Sequence, residues 1–151
     1  MDPVSIIGLT TGCLGLAHRA GSLARDLYTL QTRYSTVQYS IRSVSSQVSA
    51  IKTISKHLAA RLDSTFDARG DEAAQDEEED LLSTLRDVLE ACDPLIILIQ
   101  EQVSKVRCGK RTLGIRAKTS YLWNEQLVSH YGQLLQGQVQ ALSALLQCMQ
   151  M

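Results

Sequence analysis

Apolar residues recur at alternating spacings of three and four from Ile6 to Leu62, and Ser55 is the one polar residue at a stripe position. Such spacing is one face of an amphipathic helix. A single straight helix over this span would be about 85 Å long, whereas a compact chain of this length has a radius of gyration of about 15 Å. Unless the protein is an extended coiled coil, the stripe must fold back. We place the turn at Thr32–Thr36, where weak helix formers cluster and Ser35 can cap a new helix.

Capping residues and composition predict the limits of the first two helices. Asp2 and Pro3 suit the N-cap and first helical positions, because an aspartate accepts a hydrogen bond from a free amide and proline has no amide to leave unpaired. We expect the second helix to end near Leu62. Residues 63–79 contain Gly70 and a run of carboxylates, which predicts a mobile, acidic link.

A third stripe at threes and fours crosses Pro94 without losing its phase. We interpret it as one kinked helix, with a fresh helix capped by Asp93 as the alternative. A basic loop at about 107–118 follows, and a fourth amphipathic helix is predicted from near Thr119. The four stripes predict an all-α fold, an antiparallel four-helix bundle of long helices in one domain over residues 1–151. The expected core contains Leu16, Leu23, Leu27, Ile41, Val48, Ile51, Leu85, Leu89, Ile96, Ile99, Leu135, Leu142 and Leu146.

The formal net charge of −1 hides three charged blocks. Residues 1–61 are basic, with seven Lys/Arg and two Asp/Glu. Residues 62–104 are acidic, with two Lys/Arg and thirteen Asp/Glu. Residues 105–151 are basic again, with six Lys/Arg and one Asp/Glu. The cations of the last block suit anionic lipid headgroups, although a loop that only faces water is the simpler interpretation. The lack of interleaved aromatic residues argues against nucleic acid as a partner. We call these six cations the basic segment: Lys105, Arg107, Lys110, Arg111, Arg116 and Lys118.

No motif for catalysis, for a metal or for a cofactor stands out. The four cysteines are widely spaced and the three histidines fall in different predicted helices, so neither a metal site, a disulfide framework nor a catalytic relay is indicated. Gly109–Thr112 resembles a phosphate-binding loop only faintly, because Ser104 and Arg111 occupy places that require Gly and Ser/Thr. We therefore expect no enzyme, no cofactor and no small-molecule substrate.

The apolar run Val4–Ala17 near the N-terminus matches neither a signal peptide nor an ordinary transmembrane helix. It has no basic residue before it and no small-residue cleavage site after it. It is also interrupted by two threonines and shorter than the roughly 20 residues that span a bilayer. The sequence therefore predicts a cytoplasmic protein with reduced cysteines.

The first predicted helix combines large apolar residues with glycines on one flank. Gly8, Gly12 and Gly15 each cost about 1 kcal/mol relative to alanine inside a helix. Small residues four apart let a second helix approach closely, in a bundle or in lipid. Two interpretations follow: a helix packed tightly against its neighbour, or a helix that is metastable in the bundle and can leave it for a membrane.

Residues 1–9, with the sequence MDPVSIIGL, resemble the opening of the HeLo-like N-terminal domains of fungal STAND and NOD-like receptor proteins. The resemblance continues through 14–17, 27–28 and 41–62 and returns at 122–123 and in the last leucine-rich helix, so it covers nearly the whole chain. It implies a helical-bundle effector domain that causes programmed cell death in heterokaryon incompatibility or innate immunity.

The same resemblance implies that the domain oligomerises and exposes its first helix, which then targets the plasma membrane. The implied partners are further copies of the chain or homologous helical-bundle domains. The competing hypothesis is a protein-interaction, oligomerisation or autoinhibitory module without membrane activity. Carried over to this sequence, the residues of the membrane-active helix are Pro3, Ile6, Ile7, Gly8, Leu9, Gly12, Leu14, Gly15 and Leu16.

Overall fold

A computed structural model describes the backbone of residues 3–33, 39–67, 75–108 and 125–150 and most side chains within those ranges. This described part of the chain is entirely helical and contains no strand, so the prediction of an all-α bundle is confirmed at that level. The four helices that it contains are α1 (Pro3–Arg33), α2 (Tyr39–Asp67), α3 (Gln75–Cys108) and α4 (Glu125–Gln150).

Each described helix packs against two others. α1 contacts α2 and α3, and α4 contacts the same two helices, so α1 and α4 occupy opposite corners of the bundle, as do α2 and α3. Where α1 packs on α3, Gly12 lies beside Leu89 and Arg19 reaches Asp93. These contacts place residues 12–19 of α1 against residues 89–93 of α3.

The limits predicted for the acidic link at 63–79 are wrong at both ends. α2 continues to Asp67 and α3 begins at Gln75, so only residues 68–74 of the link lie outside the described residues. Polar residues do not end a helix when they face water, and Asp63 and Ser64 are exposed on α2.

The remaining helix limits agree with the predictions where the structure describes them. α1 begins at Pro3 and ends at Arg33, so the first two residues of the turn predicted at 32–36 are helical and the other three lie outside the described residues, before α2 begins. α3 is one helix through Pro94, as interpreted from the unbroken stripe. Pro94 is exposed, so water can bond the carbonyl that proline leaves unpaired. The predicted start of the fourth helix near Thr119 lies outside the described residues.

The bundle core consists of the predicted apolar stripes. All the expected core residues are buried except Leu89 and Leu146, which are half-buried and pack against the core, while Leu145 is buried in place of Leu146. The least exposed large side chains are Ile6, Leu16, Leu23, Leu27, Ile51, Leu58, Leu62, Leu82, Leu85, Ile96 and Ile99.

Ser55 is the exception in this core. Its side chain is 0% exposed, and its hydroxyl oxygen has no hydrogen-bond partner. A buried polar group that makes no hydrogen bond costs about 1–3 kcal/mol, because its bonds to water are lost and not replaced. The core stripe of α2 thus contains a local defect at the one position where the sequence pattern is polar.

Replacing Ile51 with alanine should lower the free energy of unfolding by about 2–5 kcal/mol, because it opens a cavity at a fully buried position. Leu89→Ala should cost less than Ile51→Ala, because Leu89 is only half-buried and water already reaches part of its side chain. Urea denaturation of both variants measures the two losses. An equal or larger loss at Leu89 would contradict the burial described for the α1–α3 interface.

Replacing Ser55 with alanine should raise the free energy of unfolding by about 1 kcal/mol or more, since it removes a buried hydroxyl that has no partner. Thr53→Ala is a matched control on the same helix, because the Thr53 hydroxyl is exposed and donates a hydrogen bond to the Ser49 carbonyl. A destabilised Ser55→Ala variant in the same urea titration would show that the hydroxyl is paired in solution.

Candidate functional site

The residues that the resemblance assigns to a membrane-active helix fall on two sides of α1. Ile6, Leu9 and Leu16 are buried in the bundle core. Ile7 and Leu14 are 56% and 52% exposed. The apolar surface of α1 is therefore divided into an inner stripe, which only a conformational change would expose, and an outer pair that faces water in this structure.

The outer pair forms part of a continuous solvent-facing side of α1. Ile7 and Leu14 are seven residues apart, which places them on one face two turns from each other. Thr11 lies between them and His18 follows one turn later, and both are exposed. This side of the helix therefore presents two large apolar side chains to water among exposed polar ones.

Close packing against a neighbouring helix does not explain every glycine on the glycine flank of α1. A methyl group added at Gly8 would meet nothing within 4 Å. One added at Gly12 would lie 3.5 Å from a terminal methyl carbon of Leu89, which is ordinary contact. Tight packing in the bundle therefore does not explain the glycine at position 8, and at position 12 the structure has room for a small side chain.

An ion pair joins α1 to α3 on the C-terminal side of the contact between Gly12 and Leu89. The Nε atom of Arg19 donates a hydrogen bond to the Oδ1 atom of Asp93 over 2.5 Å. The guanidinium lies across Gly15, where an added methyl group would be 3.4 Å from it. Arg19 and Asp93 line an open groove together with Leu16. Because its side chains are 37% and 32% exposed, solvent screens the pair, and its contribution is about 1 kcal/mol or less.

Sequence reasoning missed this ion pair. It considered Asp93 only as a helix cap, and the partner is 74 positions away along the chain. Two residues so far apart leave no local spacing pattern that would connect them. A hint was present in the charge blocks, since the first block is basic and the second acidic.

The buried thiols have little nucleophilic character at neutral pH. Desolvation by burial raises the pKa of Cys13 to about 12. Burial, together with the nearby negative charge of Asp93, raises the pKa of Cys92 to about 12 as well. Both thiols are therefore protonated in the folded protein, whereas nucleophilic attack needs the thiolate.

The histidines and carboxylates of the described residues form no metal-binding group. The three histidines lie on α1, α2 and α4, and their side chains are exposed. Among the side chains that the structure describes, no three of the types His, Cys, Asp and Glu are placed to hold a metal ion.

The structure describes little of the basic segment. Lys105 and Arg107 lie in the last turn of α3, where only the backbone is described. Lys110, Arg111, Arg116 and Lys118 lie outside the described residues. The predicted contact between this segment and anionic lipid therefore stays a prediction.

Comparison with known proteins assigns no family. No protein-family model matches the chain, and neither a curated protein nor a solved structure matches it. Within the described ranges, none of the helices offers a stretch that is long and apolar enough to cross a bilayer.

Replacing Gly8 and Gly12 with alanine should stabilise the bundle by up to about 2 kcal/mol in total, because alanine favours the helix by about 1 kcal/mol at each position and the added methyl groups fit. Thermal and urea unfolding of the two single variants and the double variant measure this gain. Destabilisation by either change would mean that α1 packs more tightly in solution than the structure describes.

Proposed function

We propose that this chain is a HeLo-like effector domain of a fungal NOD-like receptor (STAND) system, which targets membranes and causes cell death by oligomerisation and insertion of its N-terminal helix. The observation that carries the proposal is the composition of α1. Its glycine at position 8 has no packing role in the bundle, and its outer face already presents Ile7 and Leu14 to water.

The glycine flank supports a helix that can exchange between two environments. Three glycines lower the intrinsic stability of the first half of α1 by about 3 kcal/mol relative to alanine. Packing of the inner stripe offsets that cost while α1 stays in the bundle. Once released, the inner stripe and the outer pair together give α1 apolar residues around most of its circumference.

The mode of membrane action follows from the length of that apolar stretch. The helix α1 is long enough to cross a bilayer, but no stretch of it is apolar enough to do so alone. We therefore propose that α1 first lies in the membrane interface and that insertion needs several copies together. Anionic lipid would attract the cations of the basic segment and hold the cytoplasmic protein at the plasma membrane.

The proposal includes an antiparallel arrangement of α1 and α2. Only residues 34–38 separate the two helices, which bridges about 20 Å at most. α1 is about 46 Å long, so a parallel α2 packed along it could not be reached by such a link. α1 and α2 would then form a hairpin, and the N-terminal half of α1 could separate from it while the link between the two helices stays in place.

The second candidate is an interaction module that never touches lipid. It is favoured by large apolar side chains that are exposed on other helices too, namely Ile97 and Leu98 on α3 and Leu134 on α4, each 41–43% exposed. Exposed apolar residues on several helices suit a protein partner as well as they suit a membrane.

Dye release from vesicles of phosphatidylcholine and phosphatidylserine separates the two candidates. The parent protein should release dye, and Ile7→Gln/Leu14→Gln should reduce release at least about tenfold, since each change removes apolar area worth about 1 kcal/mol or more at the interface. The melting temperature should hardly change, because both side chains are exposed. Ile97→Gln/Leu98→Gln is the matched control and should release dye as the parent does.

A fungal cell-death assay with the same variants extends the test to cells. The proposal requires the α1 variant to lose killing and the α3 control to keep it. If the folded α1 variant releases dye and kills as well as the parent, or if the parent releases no dye, the interaction module replaces the membrane effector.

A further inference from the structure

Charge on the described surface is divided among the helices. The described side chains of α4, residues 127–150, include no Lys, Arg, Asp or Glu. Those of α2 carry mainly cations, and those of α3 carry mainly carboxylates. Since α2 and α3 occupy opposite corners of the bundle, its basic and acidic helices face away from each other.

Four of the exposed carboxylates of α3 form one outward stripe. Asp80, Asp87, Glu90 and Glu101 are all exposed, and with Pro94 they follow one another at spacings of seven, three, four and seven. Such spacings keep them on a single side of a helix. We call these four residues the acidic stripe. Asp93 stands outside it, because Asp93 is paired with Arg19 at the α1–α3 interface.

The cations of α2 form a matching stripe at the opposite corner. Arg42 and Lys56 are both exposed and lie four helical turns apart on one face, with the exposed Ser49 midway between them. Lys52 adds a cation nearby, and its alkyl chain lies across Gly21 of α1, 3.4 Å from where a methyl group would be. We call Arg42, Lys52 and Lys56 the basic stripe.

The two stripes have opposite charges and matching spacings. Arg42 and Lys56 are fourteen residues apart, and so are Asp87 and Glu101, which corresponds to about 21 Å along either helix. Two such helices laid side by side can form both ion pairs at once. Within one molecule the stripes cannot meet, because they lie on diagonal helices with the core between them.

We propose that a second copy of this chain docks the acidic stripe of its α3 on the basic stripe of α2. The contact is heterologous, since each molecule contributes a different face and keeps its other face free for a further copy. Repetition of the contact therefore gives a ring or an open chain. This deepens the proposed function by naming the contact within the oligomer, and it relies on that function only for what the oligomer does.

Charge exchange between the stripes tests this contact with the 151-residue chain and without lipid. Sedimentation of the parent should show self-association at about 25 mM salt and at least a tenfold weaker association at about 500 mM salt, where screening is stronger. Arg42→Glu/Lys56→Glu and Asp87→Lys/Glu101→Lys should each be monomeric at low salt. An equimolar mixture of the two variants should associate again, because each supplies the charge that the other has reversed.

Two controls keep the result specific. Circular dichroism should show that both variants retain their helix content, and Gln133→Glu/Gln140→Glu, which adds charge to exposed positions on α4, should associate as the parent does. A parent that is monomeric at every salt concentration, or a mixture that fails to associate, overturns the proposal. So does binding of the basic stripe to phosphatidylserine vesicles without self-association, which would assign the stripe to lipid.

The membrane action of α1 and the contact between the two stripes are tested by independent experiments. Dye release depends on Ile7 and Leu14 of α1, whereas the sedimentation experiment depends on residues of α2 and α3. Loss of self-association with dye release intact would remove the contact proposed here and leave the membrane action of α1 in place.

Discussion

Burial of the inner stripe of α1 is the interaction on which the rest of the bundle depends. α1 is packed on both α2 and α3, and Leu16, Leu23 and Leu27 are almost completely excluded from water. A long helix with three glycines in its first half has little stability of its own, so tertiary packing maintains it. Anything that weakens this packing acts first on the N-terminal half of α1, where the glycine flank lies.

Surface charge adds a second constraint, which concerns association and not folding. The basic and acidic helices are diagonal, and the Arg19–Asp93 ion pair between α1 and α3 is about a third exposed and contributes little. The stripes on α2 and α3 therefore remain available to other molecules. If further copies dock on these stripes as proposed, they assemble on a bundle whose core holds α1, the helix that the proposed function needs.

The sequence predicted those features that depend on local spacing. Helical periodicity identified the inner stripe of α1 and nearly all of the core, because burial follows the phase of a helix. The limits that it predicted for the link at 63–79 were wrong, because exposed polar residues continue a helix there. It did not predict that α1 and α3 are neighbours or that Arg19 pairs with Asp93, since contacts between distant segments depend on the path of the chain. The glycine flank was visible in the sequence, but only the structure tells which of its positions have room for a side chain.

Native-state hydrogen exchange tests the central claim, that α1 can separate from a bundle that otherwise stays folded. If α1 can separate, amides at 6–16 should exchange through a partial opening, with a lower free energy and a smaller denaturant dependence than amides around Ile51 of α2. Exchange of both sets of amides with the same free energy and the same denaturant dependence would mean that α1 opens only when the whole bundle unfolds, and would rule out its separate release.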